Sequence, residues 1–517
     1  MSQLSWSFAQ IRNRFSHRVG RLYASDLLLW VIICFGIVLR FAQYQANWSL
    51  MQGEARLAVN IVDRTFSELT QPLDYNQAAP IGFLVVEKLA IQALGNSEYA
   101  LRLFPFLSGI ASLFLFYTVA KSYLGPNAVR IALGLFSISE PLIYYSAAVK
   151  QYSSDVTIGL LLFWVAVYIR SKRLSAPRVV LFGVVGAIAI WFSHPSLFVL
   201  AGIGGSLALF CLVRKEWTRI GQLLIAFLFW AVSFAIVYSL SLGDLGEHEN
   251  LLRFWGDSFM PFPPLSFSEV KWFVDTFFVI FEKPVGLILS GVAAFAFIIG
   301  GISTFSKEKE GGLVLLSPIL LALLASGLHK YPFHGRLLLF AVPTLLLFIA
   351  EGTERVLEKT KPASAVIGIT LVGLLFFPPL LSASYHLVKP RTFVAGYPIR
   401  EEIKPVMDHV RRHQQEEDIL YLYYSTWNAF KYYQQRYGYK DGDYITGVVS
   451  KDDWSGYASD LDKLKGNDRV WILFSHFQGD AHRAEKQFYE YYLDSIGTRL
   501  DAYESEGAAA YLYDLGE

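Results

Sequence analysis

Apolar runs of 15 to 23 residues recur along this chain at 27–43, 101–120, 127–146, 156–170, 178–193, 197–213, 219–241, 285–304, 312–328, 337–353 and 363–384. A helix needs about 20 apolar residues to cross the hydrocarbon core of a bilayer. Backbone groups there must be satisfied internally, which leaves helices and closed barrels as the only spanning structures. Runs of this length predict a mainly α, polytopic transmembrane helical bundle of about eleven spans. Composition agrees, with 54% hydrophobic and 17% charged residues against about 25% charged in a soluble domain. A net charge of +1 supplies no basic field for nucleic acid. Cys34 and Cys211 sit inside apolar runs and read as small core hydrophobes. The first run is long and lacks a small-residue cleavage site, so it reads as a span rather than a signal peptide.

Orientation follows from where Lys and Arg gather. Arg12, Arg14, Arg18 and Arg21 precede the first run. With that end cytoplasmic, the other cytoplasmic segments carry Lys121 and Arg130, then Arg170, Lys172, Arg173 and Arg178, then Arg214, Lys215 and Arg219, then Lys307 and Lys309, and last Arg355, Lys359 and Lys361. An odd number of spans places the C-terminal domain outside, in the periplasm of a Gram-negative cell. The expected location is the bacterial inner membrane.

Two outer segments are too long to be plain connectors. The first, 44–100, holds an amphipathic stretch at 54–69 and a second apolar run at 80–94, interrupted by Glu87 and Lys88. Both suit helices lying in the interface. The second, 242–284, carries Trp255 and Trp272, residues suited to the headgroup level. The chain divides into a transmembrane domain at 1–388 and an outer α/β domain at 389–517. In the latter, 418–424, 469–475 and 508–513 read as short buried strands, with helical stretches near 399–414, 426–437 and 481–495. It has no nucleotide-binding glycine fingerprint, and a docking or lid role suffices for it.

The candidate chemical groups collect on the outer side. Glu54 opens an amphipathic helix, where an acid at the positive N-terminus has a structural explanation as well as a functional one. Asp74, Asn76 and Gln77 form a polar knot that turn chemistry explains and that also suits a sugar or phosphate head. Lys150, Gln151 and Tyr152 precede Asp155, which reads as an N-cap of the fourth span. Lys150 goes against the inside-positive trend and suits a phosphate or a partner such as Glu54. His194 lies at the turn between the fifth and sixth spans, where a lone histidine is usually structural. His329, Lys330, His334 and Arg336 pack four groups able to carry positive charge into one outer loop. Such a cluster suits phosphate, which arginine grips in a bidentate way. Ionisable groups at membrane depth are costly and point to function.

Several motifs, in order, resemble one family. They are Gly53-Glu54-Ala55, the segment from Gln71-Pro72-Leu73-Asp74 to Pro80, the segment from Asn96-Ser97-Glu98 through Arg102 to Pro105, Tyr144-Tyr145-Ser146, the segment from Lys150 to Asp155, and the segment from Tyr331 to Arg336. Together they resemble the polytopic GT-C glycosyltransferases, specifically bacterial relatives of the protein mannosyltransferases and of the aminoarabinose transferase acting on lipid A. The resemblance implies transfer of a sugar from a polyprenyl-phosphate carrier to a glycolipid, polysaccharide or protein acceptor on the outer face. It implies an inverting reaction, with a first-loop acid as general base and outer cations holding the carrier phosphate. Glu54 would be that acid, with Asp155 or Asp74 able to contribute. Members of the family usually carry an Asp-Glu pair where this chain has Gly53-Glu54. They differ over a divalent cation (Mg or Mn), and no tight ligand cluster in the sequence settles a metal. The competing readings are a transporter or flippase of lipid-linked sugars and a non-catalytic, lipid-binding member.

Overall fold

The computed structural model describes residues 27–170, 175–243, 255–358, 362–388, 401–477 and 479–516. Among these, nine helices are long and apolar enough to cross a membrane, from Leu27–Gln45 to Val366–Tyr385. Two shorter apolar helices, Pro126–Ile138 and Ala176–Phe192, occupy the remaining expected runs. All eleven predicted segments are therefore helical, and the polytopic bundle is borne out. Arg12, Arg14, Arg18, Arg21, Lys172, Arg173, Lys359 and Lys361, which entered the orientation argument, lie outside the described residues.

The bundle begins with α1 (Leu27–Gln45). Next come α2 (Gln52–Asp63) and α3 (Ile81–Leu94), which fill the first long connection. They are followed by α4 (Glu98–Tyr123), α5 (Pro126–Ile138), α6 (Glu140–Tyr145) and α7 (Tyr152–Arg170). The expected span at 127–146 is broken at Ser139, ahead of Pro141, because proline interrupts the helical ladder. The break frees backbone carbonyls inside the bundle. Arg40 of α1, fully buried, donates to the carbonyls of Ser137 and Phe136 at 3.3 and 3.4 Å and satisfies them. Gly300 and Gly352 mark a second tight contact, because a Cβ on either would strike the facing helix backbone. Small residues of this kind let membrane helices approach closely.

Some expectations need correction. The amphipathic stretch at 54–69 is helical only to Asp63, then turns through Glu68–Thr70. Glu87 is fully buried, which raises its carboxyl well above the usual range, while Lys88 donates to the Val62 carbonyl at 2.8 Å. Asp155 is not an N-cap, since it lies within the first turn of α7. The connection after the seventh run contains an unpredicted amphipathic helix, Phe267–Glu282, opened by a Ser266 cap. Its residues 244–254 are outside the described part.

The C-terminal region forms a five-stranded sheet, β1 (Ile419–Leu422), β2 (Ile445–Thr446), β3 (Val470–Ser475), β4 (Thr498–Ser505) and β5 (Ala508–Asp514). The order is β2-β1-β3-β5-β4, with β1, β2 and β3 parallel and β5 antiparallel to both β3 and β4. Alternating side chains serve two layers. Leu420, Leu422, Trp471 and Leu473 pack with a helix at Ile403–His413, and Tyr421, Tyr423, Ile472 and Phe474 with one at Asp480–Ile496. The first layer is continuous with Leu57, Ile61 and Phe83 of the first connection and with Leu101 of α4.

Polar contacts fasten the sheet region to the bundle. Buried Glu98, at the start of α4, accepts from Arg436 Nη1 at 2.6 Å and Tyr433 Oη at 2.9 Å, with Lys404 Nζ at 3.0 Å. At the opposite end of the bundle, Arg170 and Arg214 pair with Glu310, and Lys307 and Arg355 with Glu351. One end thus carries the C-terminal region, and the other gathers the basic connections.

Candidate functional site

The N-terminus of α2 is the centre of the domain-bearing end. Glu54, 6% exposed, joins three segments there. Its Oε2 accepts from the Met51 amide at 3.1 Å and its Oε1 from the Val149 amide at 2.8 Å. Arg102 of α4 lies 3.4 Å from both oxygens and donates to the Trp48 carbonyl at 2.8 Å. A carboxylate has about four acceptor positions, and these contacts fill them. The result fixes the 146–151 segment, and with it Lys150, against α2.

Lys150 donates to Gln77 Oε1 at 2.6 Å, and Gln77 Nε2 donates to the Tyr75 and Asn76 carbonyls at 3.0 and 3.3 Å. Tyr75 and Asn76 hold left-handed conformations, with φ of 61° and 54°, which turn this segment toward Lys150. Gln151 donates to the Ala78 carbonyl at 3.4 Å. Burial, then the nearby Arg336, lowers the Lys150 ammonium from its usual 10.5 to about 7, with Glu54 acting in the opposite direction. Arg336 lies over the rings of Tyr152 and Trp255, 6.0 and 5.4 Å from their centroids. Gly53 is exposed, and a Cβ there would meet only the Lys150 side chain, at 4.0 Å. The space beside Lys150 is therefore open at the one position where the family motif usually has an acid.

Asp155 is 4% exposed, and its Oδ1 has no hydrogen-bond partner. It stands one helical turn beyond Tyr152 and Gln151 on α7. A buried carboxylate oxygen left unengaged is costly. In that respect it contrasts with Glu54.

Other expected residues lie at the margin of this group or away from it. Asp74 is 61% exposed and pairs with Arg64 at 2.9 Å. Asn76 is exposed and meets the site only through its carbonyl. His194 has a buried, unpartnered Nε2, and burial lowers its ring to about 4, so it is neutral at pH 7. His329 packs against Phe259 with ring centroids 5.0 Å apart, and His334 lies 6.4 Å from Trp255. Lys330 is exposed.

Sequence reasoning missed Arg102 as the partner of Glu54, 48 positions away. It also missed Glu401, 1% exposed, whose Oε2 accepts from the Gln52 amide at 2.9 Å. Glu401 further pairs with His476 Nδ1. The C-terminal region thereby reaches the first turn of α2, next to Gly53. Arg102 lies within a motif visible in the sequence, whereas no signal pointed to Glu401.

No protein-family model matches the chain, and no curated protein matches it. Solved structures do. ArnT from Cupriavidus metallidurans bound to undecaprenyl phosphate matches with a TM-score of 0.54 and 11% identity, over 93% of this chain and 97% of that one. The same protein in its apo state matches with a TM-score of 0.53 and 12% identity, over 95% and 99%. At this identity the likeness concerns the fold. The chain shares the fold of these structures, in agreement with the fold that the sequence motifs implied.

Proposed function

We propose that this chain is a membrane glycosyltransferase that moves a sugar from a polyprenyl-phosphate carrier to an acceptor at the outer face of the bacterial inner membrane. The observation that carries this reading is the open space beside Gly53, bordered by Lys150 and with Arg336 on its neighbour Tyr152, in a fold shared with a protein solved with undecaprenyl phosphate bound. Anionic headgroups need preorganised cations, and Lys150 and Arg336 meet that need. The basic connections at the far end support a cytoplasmic N-terminus and a periplasmic domain at 389–517. That domain would border the acceptor, be it glycolipid, polysaccharide or protein, through Glu401.

In this mechanism Lys150 and Arg336 hold the carrier phosphate and balance its charge as the anomeric C–O bond breaks. Asp155 takes the acceptor hydroxyl proton on its unengaged Oδ1 as the acceptor oxygen attacks the anomeric carbon on the face opposite the departing phosphate, which inverts the anomeric centre. Glu54 positions Lys150 and is not itself the base, because its acceptor positions are filled. Gln77 and Gln151 orient the headgroup. The oxygen ligands that Mg or Mn would require are not assembled among the described residues beside Lys150, where Arg336 is the foremost neighbouring charge.

The reading has a pH signature. Lys150 titrates near 7 in the free protein, while a phosphodiester stays anionic throughout. Binding the anion favours the charged ammonium, so above neutrality the donor binds together with a proton. Donor KM is therefore flat below about pH 6.5 and rises about tenfold per pH unit above about pH 7.5. Lys150→Arg keeps its charge and removes the rise. Steady-state transfer from synthetic polyprenyl-phosphate sugars across this range tests the assignment. A wild-type donor KM that ignores pH sinks the role of Lys150, and absence of transfer from every donor sinks the transferase.

A further inference from the structure

We propose that His409, His413 and Asp501 form a divalent transition-metal site of zinc type, which clasps the helix at Ile403–His413 to the edge strand β4. The two histidines are four positions apart, so they share one face of the helix, and their ring centroids lie 4.3 Å apart. Asp501 of β4 faces them, its Oδ2 2.7 Å from His409 Nε2. One ligand atom from each of the three lies within 4.8 Å of the others.

Three features go beyond proximity. The first is the strand itself. β4 and β5 slip register between Arg499 and Asp501. Arg499 pairs with Asp494 of the helix at Asp480–Ile496, on one side of the sheet, whereas Asp501 meets His409 on the other. Residues two apart in a regular strand share a face. The bulge is what turns Asp501 toward the histidines, and bulges commonly re-aim side chains at functional sites. The second is the tautomer. His413 Nδ1 lies 2.9 Å from the His409 carbonyl and can only donate to it, which leaves Nε2 as the lone-pair nitrogen. A carbonyl behind a ligating imidazole is the usual device for orienting it. The third is rigidity, since the His409 ring stacks on Tyr503 at 4.6 Å and meets Trp471 edge-on at 5.9 Å.

Two imidazoles and one carboxylate suit zinc in preference to magnesium or calcium. Three such ligands plus a water complete a tetrahedral shell with Zn–N of about 2.0–2.1 Å. The metal would enter between His409 and Asp501, within reach of exposed His413. Neighbouring cations are engaged elsewhere, Arg411 over Tyr439, Arg412 on the Asp408 carbonyl and Arg469 on Asp418. The site is independent of the transferase reading.

The test is titration of the purified full-length protein, freed of any affinity tag, with Zn²⁺ against a chromophoric chelator, followed by Co²⁺ substitution. One tight equivalent is expected, with the visible absorption of tetrahedral Co²⁺. His413→Ala and Asp501→Asn should each weaken binding by at least about tenfold, and Zn²⁺ should raise the wild-type Tm but not theirs. His413 is exposed at a helix end, so its variant keeps the fold, as size-exclusion chromatography would verify. No bound equivalent, wild-type affinity in either variant, or preference for Mg²⁺ over Zn²⁺ overturns the assignment.

Discussion

Asp155→Asn lowers sugar transfer by about 10²–10⁴-fold, the usual contribution of a positioned base, while donor KM changes little. The substitution preserves volume and hydrogen-bonding shape and removes only the basicity of the buried carboxylate. Asp155 is a buried carboxylate whose Oδ1 is left unengaged, and it stands on the same helix as Tyr152, over which Arg336 lies. Single-turnover transfer with preloaded donor separates the chemical step from binding. A variant that turns over normally, or one that loses donor binding in proportion to rate, removes Asp155 from the role of base.

Glu54→Ala has the largest expected effect on stability, about 3–5 kcal/mol, because breaking a buried ion pair from one side strands the other charge. Arg102 is 2% exposed, and the Met51 and Val149 amides would lose their acceptor as well. Glu54→Gln retains an acceptor oxygen and costs less, and Arg102→Gln combined with it relieves the stranded charge. Thermal unfolding of the four proteins forms a double-mutant cycle. Strong coupling is expected, with the double variant more stable than the sum of the single losses. Additive losses would mean that the two residues do not act as a unit. Wild-type stability with abolished turnover in Glu54→Gln would return Glu54 to the role of base.

Much of the bundle was legible because lipid exposure requires long apolar runs. Segments such as 219–241 and 363–384 needed no tertiary information. The break at Ser139 was hidden because the chain stays apolar through it, and what compensates it is Arg40, about a hundred positions away. Strand β4 was missed since Thr498–Ser505 lies at a sheet edge, where both faces carry polar side chains and only Leu500, Ala502 and Tyr503 are apolar. The helix at Phe267–Glu282 was read as headgroup-level loop because Lys271 and Asp275 interrupt its aromatic residues.

At the site, Lys150 and Arg336 stood out as cations on the wrong side of the charge asymmetry. Their relation to Gly53 did not, because spacing cannot show that a glycine faces open space. Glu54 and Arg102 both lay in recognisable motifs, yet only packing reveals that they satisfy one another. That pairing moves the proposed base from Glu54 to Asp155.

The most direct test of the central claim is the structure of the purified protein with undecaprenyl phosphate. The phosphate is expected beside Gly53, in contact with Lys150 Nζ and the Arg336 guanidinium, with Gln77 released from Lys150. A phosphate bound elsewhere on the bundle, or no saturable binding at all, would contradict it.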